Sequence, residues 1–431
     1  MMSSEGAGQL ASSSRCCEGE PRKGSKCKDP EEERAKLQFG TRAVSRHNPP
    51  PDQAPLVAPI YASSVFCPRN FEDALLVQTG AGYVYSRCEN PTTNLVADAI
   101  AELEGADGGC LMYASGMSAI SSALLTFLRK GDHVVAPDLC YAACMSYFTE
   151  MCPRIGVEVT LVKPCCIDEY RKAIKPNTVL LYGETLTNPT MEMLDLEELG
   201  KLSNETGRHI RTMIDNTFAS PYCVQPIQHG IDIVLHSCTK YLGGHSDLTA
   251  GCACFRNHDD KHAMLQMRKM LGGIMSPFEA FLLHRAVKTL HVRMAQHCTN
   301  AMTVAQYLQC QDKIECVYYP GLDSHPQHVT AKKHVLNDSY GGMVSFVLKG
   351  GYEAAKTFVM SLRLIIFAVS LGGVESLVEH PASMTHDPKA MALLGEVPAT
   401  QEVAGGLIRF SVGLESSDDL IKDLEQALAK V

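Results

Sequence analysis

No stretch of the 431-residue sequence reaches the roughly 18 uninterrupted apolar residues that a membrane-spanning helix needs, so no membrane partner is expected. Basic charge is also short. Lys and Arg number 39 against 48 Asp and Glu, a net charge of −9, whereas a polyanion partner such as nucleic acid needs clustered cations. Tryptophan is absent, and no internal repeat is visible. The N-terminus shows no secretory signature, and Glu5, Glu18 and Glu20 argue against a transit peptide, which tends to be acid-poor. Residues 1–38 hold too little apolar content to pack and are expected to form a disordered tail, with order beginning near Phe39.

Cysteine is plentiful instead, at 18 residues. In a secreted mini-protein that number would imply a disulfide framework, but a chain this long buries a core without staples. Cys144, Cys223 and Cys254 sit inside apolar runs, and the adjacent pairs Cys16–Cys17 and Cys165–Cys166 cannot bridge internally without strain. A reduced, cytoplasmic protein is the expectation.

Length alone allows two or three domains. From residue 90 to 255, β-rich runs alternate with helical patterns. Strands are expected at HVVAP (133–137), VEVTLV (157–162), TVLLYG (178–183), HIRTMID (209–215) and DIVLHS (232–237). Helices are expected at 94–103, 117–128 and 194–204. This alternation predicts an α/β fold with a mostly parallel central sheet flanked by helices, and ligands bind such sheets beyond the strands' carboxyl ends. A long helical region near 277–310 opens a second unit, with strands near 314–319, 343–348, 364–370 and 407–412 and a helix from Ser417. The chain therefore reads as a tail (1–38), an N-terminal arm (39–90), a large domain (91–275) and a smaller C-terminal α/β domain (276–431).

The densest chemistry is SCTKYLGGHSD at 237–247, directly after DIVLH. Lys240 there is placed over the ligand crevice, where a partly desolvated amine forms Schiff bases with carbonyls, and Ser237 and Thr239 offer hydroxyls to an anion. The bland alternative is a surface lysine after a strand. Asp215 in IDNTF ends another apolar run and could face a cationic heterocyclic nitrogen, or simply make an Asx turn. YASGMSAI at 113–120 opens a helix whose first N–H groups make a phosphate cup, or an ordinary N-cap. Cup, acidic strand end and lysine follow in the order that a pyridoxal phosphate site needs.

On these motifs the chain, from about residue 39 to its C-terminus, resembles the cysteine/methionine-metabolism group of fold-type-I pyridoxal phosphate enzymes, which includes methionine γ-lyases and cystathionine γ-lyases. The resemblance implies pyridoxal 5'-phosphate as cofactor and Lys240 as the lysine that carries it. It implies Asp215 as the carboxylate on the pyridine nitrogen, and Ser115, Gly116, Met117, Ser237 and Thr239 as the phosphate site. Tyr141 in DLCYAA resembles the tyrosine that stacks on the ring and assists proton transfer, and Glu184 and Asn188 match polar residues near the ring hydroxyl. Tyr85 and Arg87 in YSRCENPT resemble residues that reach the cofactor phosphate of a neighbouring subunit, which implies a homo-oligomer, a dimer at least and by likeness a tetramer. Arg409 in LIRFSVGLE resembles the arginine that binds the substrate carboxylate, and Ser370 in VSLGG lies near the same group.

The expected reaction is γ-elimination from a small amino acid. In cystathionine-processing members an acidic residue often precedes the SLGG serine; here that residue is Val369, which suits the uncharged tail of methionine. Ala143, two residues after Tyr141, stands where bacterial methionine γ-lyases usually carry cysteine. Cystathionine γ-lyase, cystathionine γ-synthase or β-lyase activity therefore stays open, as does a scaffold without catalysis. SCTK fits the Ser-x-x-Lys of β-lactamases, but neither S-D-N nor K-T-G accompanies it. Cys252, Cys254, His258 and His262 have loosely zinc-like spacing, yet Cys-x-Cys is too short for a knuckle, so no metal is expected. GAG at 80–82 follows no strand, KTLHVRM at 288–294 is expected on a solvated or interface helix face, and HPASMTH at 380–386 on a substrate-side loop.

Overall fold

Asn90 and Pro91 start the first long helix of the core. The Asn90 side chain accepts the Thr92 N–H at 2.9 Å, and Pro91 takes the first helical position, where a missing N–H costs nothing. The helix, α1 (Pro91–Glu104), ends at Gly105, whose φ of 68° few residues but glycine adopt readily. The computed structural model describes residues 36–44, 55–78, 82–384 and 404–431. The expected disordered tail lies almost wholly outside the described residues, as do most of GAG and the last two residues of HPASMTH.

Seven strands form the larger sheet: β1 (Gly109–Tyr113), β2 (His133–Pro137), β3 (Glu158–Val162), β4 (Thr178–Glu184), β5 (Arg211–Asp215), β6 (Ile233–Ser237) and β7 (Gly251–Phe255). Their order is β1-β7-β6-β5-β4-β2-β3. The run from β3 to β6 is parallel, as the β-α-β alternation predicts; β7 runs antiparallel to both β6 and β1. Alternate residues serve two faces. Cys110, Val135, Leu181, Ile214 and Val234 join the core on one side, and Leu111, Val134, Leu180, Met213 and Ile233 the core on the other.

This topology gathers chemistry at one edge. β2, β4, β5 and β6 all end there, and because β7 is reversed twice over, β1 ends there too while β7 begins there. Tyr113, Pro137, Glu184, Asp215 and Ser237 thus terminate side by side, and the 238–250 connection carrying Lys240 leaves and re-enters the same edge.

Helix α2 (Gly116–Phe127) follows β1, and α3 (His258–Leu271) follows β7. The region read as one long helix is two, α4 (Pro277–Val287) and α5 (Leu290–Gln309). The second sheet has the order β10-β11-β12-β9-β8, from β8 (Ile314–Tyr318), β9 (Met343–Leu348), β10 (Ile366–Phe367), β11 (Leu377–Glu379) and β12 (Leu407–Ser411), and α6 (Ser417–Leu428) closes the chain. It is largely antiparallel. The strand expected at 364–370 shrinks to Ile366–Phe367, and Ser370, at φ 86°, lies outside extended geometry.

Candidate active site

The cup begins at Ser115, whose hydroxyl accepts the Ser118 N–H at 3.0 Å and caps α2. Gly116 is required by close approach: a Cβ there would lie 2.9 Å from the Ser237 Cβ and 3.1 Å from its Cα. Gly251, at the start of β7, is pressed against the Ser115 carbonyl in the same way. The first turn of α2 therefore meets the ends of β6 and β7 with no side chain between, and its N–H dipoles face the edge where the strands end.

Two carboxylates stand next to each other there, since Glu184 and Asp215 are register partners on β4 and β5. Burial, and then the Asp215 charge, push the Glu184 carboxyl up to about 8, although it accepts N–H bonds from Tyr141 at 2.8 Å and Asn188 at 3.0 Å. Glu184 thereby pins both the turn bearing Tyr141 and the loop bearing Asn188. Burial also raises Asp215, against hydrogen bonding from Thr217, whose N–H it accepts at 2.9 Å. The Thr217 hydroxyl in turn accepts the Ser237 N–H at 2.8 Å, tying β5 to β6.

Lys240 follows β6. Its Nζ donates to the Ser370 hydroxyl at 2.7 Å, and desolvation, helped by the Arg409 charge and opposed by Glu379, lowers the ammonium to about 8. Thr239 is locked by accepting the Ala250 N–H at 3.0 Å. Arg293 props the loop from behind, donating to the Tyr241 carbonyl at 2.7 Å. This corrects part of the expectation for KTLHVRM: Arg293 is buried, with Leu290 and Met294, where that face of α5 packs under the lysine loop, while Thr289 and Val292 are exposed. Across the cavity, Arg409 donates to Asn188 Oδ1 at 3.0 Å and to the Ser370 carbonyl at 3.1 Å, and forms a buried ion pair with Glu379, its register partner on β11.

Ser115, Gly116, Met117, Tyr141, Glu184, Asn188, Asp215, Ser237, Thr239, Lys240, Val369, Ser370 and Arg409 all line one cavity of about 470 Å³. Tyr85 and Arg87 are not in its wall. Tyr85 bridges to Val65, and Arg87 donates to the Lys269 carbonyl at 2.6 Å with its guanidinium 5.5 Å from the Tyr85 ring centre. Met384, in the HPASMTH segment, does reach the cavity. Glu379 is a wall residue that the sequence did not point to, as are Leu186 and Thr249. The signal for Glu379 was only an acidic residue after the apolar pair Leu377–Val378, and its partner lies 30 positions away.

Comparison with known proteins follows the same lines. The family model described as Cys/Met metabolism PLP-dependent enzyme matches residues 40–429. An L-methionine gamma-lyase of Fusobacterium nucleatum is 43% identical over 382 residues, covering 87% of this chain and 94% of that protein. A cystathionine gamma-synthase of Mycobacterium bovis is 40% identical, over 90% of this chain and 96% of its own. The crystal structure of metB from Corynebacterium glutamicum superposes with a TM-score of 0.85 at 39% identity, over 92% of this chain and 99% of that one. With a half-buried lysine, a strand-end carboxylate pair and a helix-start cup on one sheet edge, and a family match over residues 40–429, the chain belongs to the pyridoxal-phosphate-dependent enzymes of cysteine and methionine metabolism.

Proposed function

We propose that the protein catalyses γ-elimination of L-methionine, in which methionine and water give 2-oxobutanoate, ammonia and methanethiol. The observation that carries this is the single cavity that joins Lys240, Asp215 and the α2 cup to Arg409 and the apolar Val369. The residues suit pyridoxal phosphate. The first turn of α2 at Ser115–Met117 lines the cavity and offers N–H groups to a phosphate, the raised Asp215 calls for a cation beside it, and a lysine lowered to about 8 is a reactive amine.

When bound, pyridoxal phosphate supplies an electron sink for charge developing beside the substrate's α-carbon. Ser115, Gly116, Met117, Ser237 and Thr239 hold the phosphate, and Asp215 holds the proton on the ring nitrogen. Glu184 and Asn188 would stand on the side of the ring hydroxyl. Arg409 takes the substrate carboxylate in its fork, steadied by Glu379 and Ser370. Lys240, freed of the cofactor, removes the α-proton and returns protons along the substrate, and Tyr141 donates to the departing thiol sulfur.

Val369 is the specificity residue in this reading, presenting an apolar wall to the thioether tail. Glu379 does not replace the missing acidic residue, because it is committed to Arg409. The second reading, cystathionine chemistry (γ-lyase, γ-synthase or β-lyase), is favoured by the likeness to cystathionine γ-synthase. Tyr85 and Arg87, standing outside the cavity, are assigned to a neighbouring subunit's phosphate, which makes a dimer the minimal unit and a tetramer the proposed assembly. The division into arm (39–90), cofactor domain (91–275) and small domain (276–431) belongs to the same proposal, as does a cytoplasmic location. Among the described residues no helix is long and apolar enough to cross a membrane.

The test is release of 2-oxo acid and thiol from methionine, homocysteine, cystathionine and cysteine by the holoenzyme. Methionine is expected to give the highest kcat/KM. Equal or better turnover of cystathionine overturns the assignment.

A further inference from the structure

The sulfur-bearing face of strands β1 and β7 has no part in the chemistry above. Cys110 and Cys254 are direct cross-strand partners, as are Met112 and Cys252, so their side chains share one face of the sheet. That face is buried: Cys110 is 3% exposed, and Cys252 and Cys254 are fully enclosed. The three Sγ atoms lie within 4.8 Å of one another, and Met112 Sδ lies 4.0 Å from Cys110 Sγ. His258 and His262, which share the loosely zinc-like spacing with Cys252 and Cys254, are not in the group; Cys110, far away in sequence, is.

We propose that Cys110, Cys252 and Cys254 form a trigonal thiolate site for a divalent thiophilic d10 cation. A metal–sulfur bond of about 2.3 Å sets sulfur–sulfur separations near 4 Å, which small side-chain rotations reach from the observed spacing. Soft thiolates select such ions over calcium or magnesium. Ligation by three thiols releases three protons and leaves one net negative charge on the complex. Lys261 answers that charge: its Nζ approaches the backbone of Gly109, adjacent to Cys110. A route from solvent exists. A small cavity of about 30 Å³ reaches Cys110 and Met112 between Glu89, Asp98, Lys261 and Arg268, and Glu89 and Lys261 are partly exposed. Its two carboxylates attract a cation towards the thiols, while Arg268 is occupied with the Met112 and Cys88 carbonyls. A bound ion would clamp edge strand β1 to β7.

The test loads reduced, cofactor-bound, full-length protein with Cd(II) in the presence of a competing chelator. Expected is one tightly held cadmium per chain, with a thiolate-to-metal charge-transfer band and three sulfur neighbours by X-ray absorption. Cys110→Ala, Cys252→Ala and Cys254→Ala should each weaken retention by more than the roughly 10–100-fold typical of an outer-shell residue. Cys67→Ala and Cys310→Ala, at exposed positions, should leave it unchanged. Retention indifferent to the three buried cysteines overturns the proposal, as does a Cys110–Cys254 disulfide in freshly purified protein. If a variant fails to fold, the unmodified protein still decides, since a tightly held ion with fewer than three sulfur ligands refutes the site. None of these readouts depends on lyase activity.

Discussion

Lys240 offers the sharpest quantitative test. Before cofactor binds, its ammonium is lowered to about 8, chiefly by desolvation and then by the Arg409 charge. Only the free amine attacks the aldehyde of pyridoxal phosphate. At about pH 7.5 roughly a quarter of Lys240 is then free amine, against about one part in a thousand for an ordinary lysine, an advantage of some two orders of magnitude. Apoprotein mixed with pyridoxal phosphate should therefore develop its visible band at a rate that rises with pH to a midpoint near 8. Glu379 supplies the opposing field, holding the proton on. Glu379→Gln keeps the shape but removes that charge, so the midpoint should move to lower pH. A midpoint near that of ordinary lysine refutes the burial argument. An upward shift in Glu379→Gln refutes the sign assigned to Glu379.

Asp215→Asn preserves an acceptor for the Thr217 N–H but cannot hold a ring proton by charge; kcat should fall about 10²–10³-fold, the scale of a removed electrostatic stabiliser, with little change in the unfolding midpoint. Gly116→Ala puts a Cβ 2.9 Å from that of Ser237, so cofactor affinity measured by equilibrium dialysis should drop, with a stability loss of about 1–3 kcal/mol from overpacking. Unchanged affinity would remove Gly116 from the phosphate site. Glu184 makes the apoprotein pH-sensitive: its carboxyl is raised from 4.5 to about 8, so the folded state binds the extra proton, and the stability this gives is present below about pH 4.5 and lost as pH rises through 8. Denaturant titrations should show apoprotein stability falling over that range, by a few kcal/mol at most, and Glu184→Gln should flatten the slope.

The parallel half of the sheet was legible because its strands are apolar runs of Val, Ile and Leu bounded by turns, a pattern that survives in any context. β1 was not. GCLMY opens with glycine and is filled with Cys and Met, and nothing local says that it pairs antiparallel with GCACF more than a hundred residues on. The thiol group came into view only through that pairing. Much of the cavity was foreseen because Lys240 and Asp215 follow or end legible strands, whose ends converge in a doubly wound fold, and because Ser115–Gly116 reads as a helix start. Glu379 and Arg293 were hidden for the opposite reason. A buried charge looks like a surface charge in sequence, and only register on β12, or packing under the lysine loop, reveals that its partner is internal.

The charges in the cavity also bound how selective the site can be. Arg409 and Glu379 neutralise each other, leaving the fork to accept a substrate carboxylate without an uncompensated cation in the empty site. Among the described residues that line the cavity, no carboxylate on that side is left for a second ammonium, so there a charged tail meets Val369. Val369 is 53% exposed, and an ammonium there stays partly hydrated, so the burial penalty is far below that of a sealed pocket. Ion pairing at such an exposed wall contributes at most about 1 kcal/mol, and its absence costs cystathionine less than about ten-fold in kcat/KM. The proposed preference for methionine is therefore one of degree, set by Val369 at the mouth, whereas the proposed binding of the α-carboxylate rests on Arg409, enclosed and held by Asn188, Ser370 and Glu379.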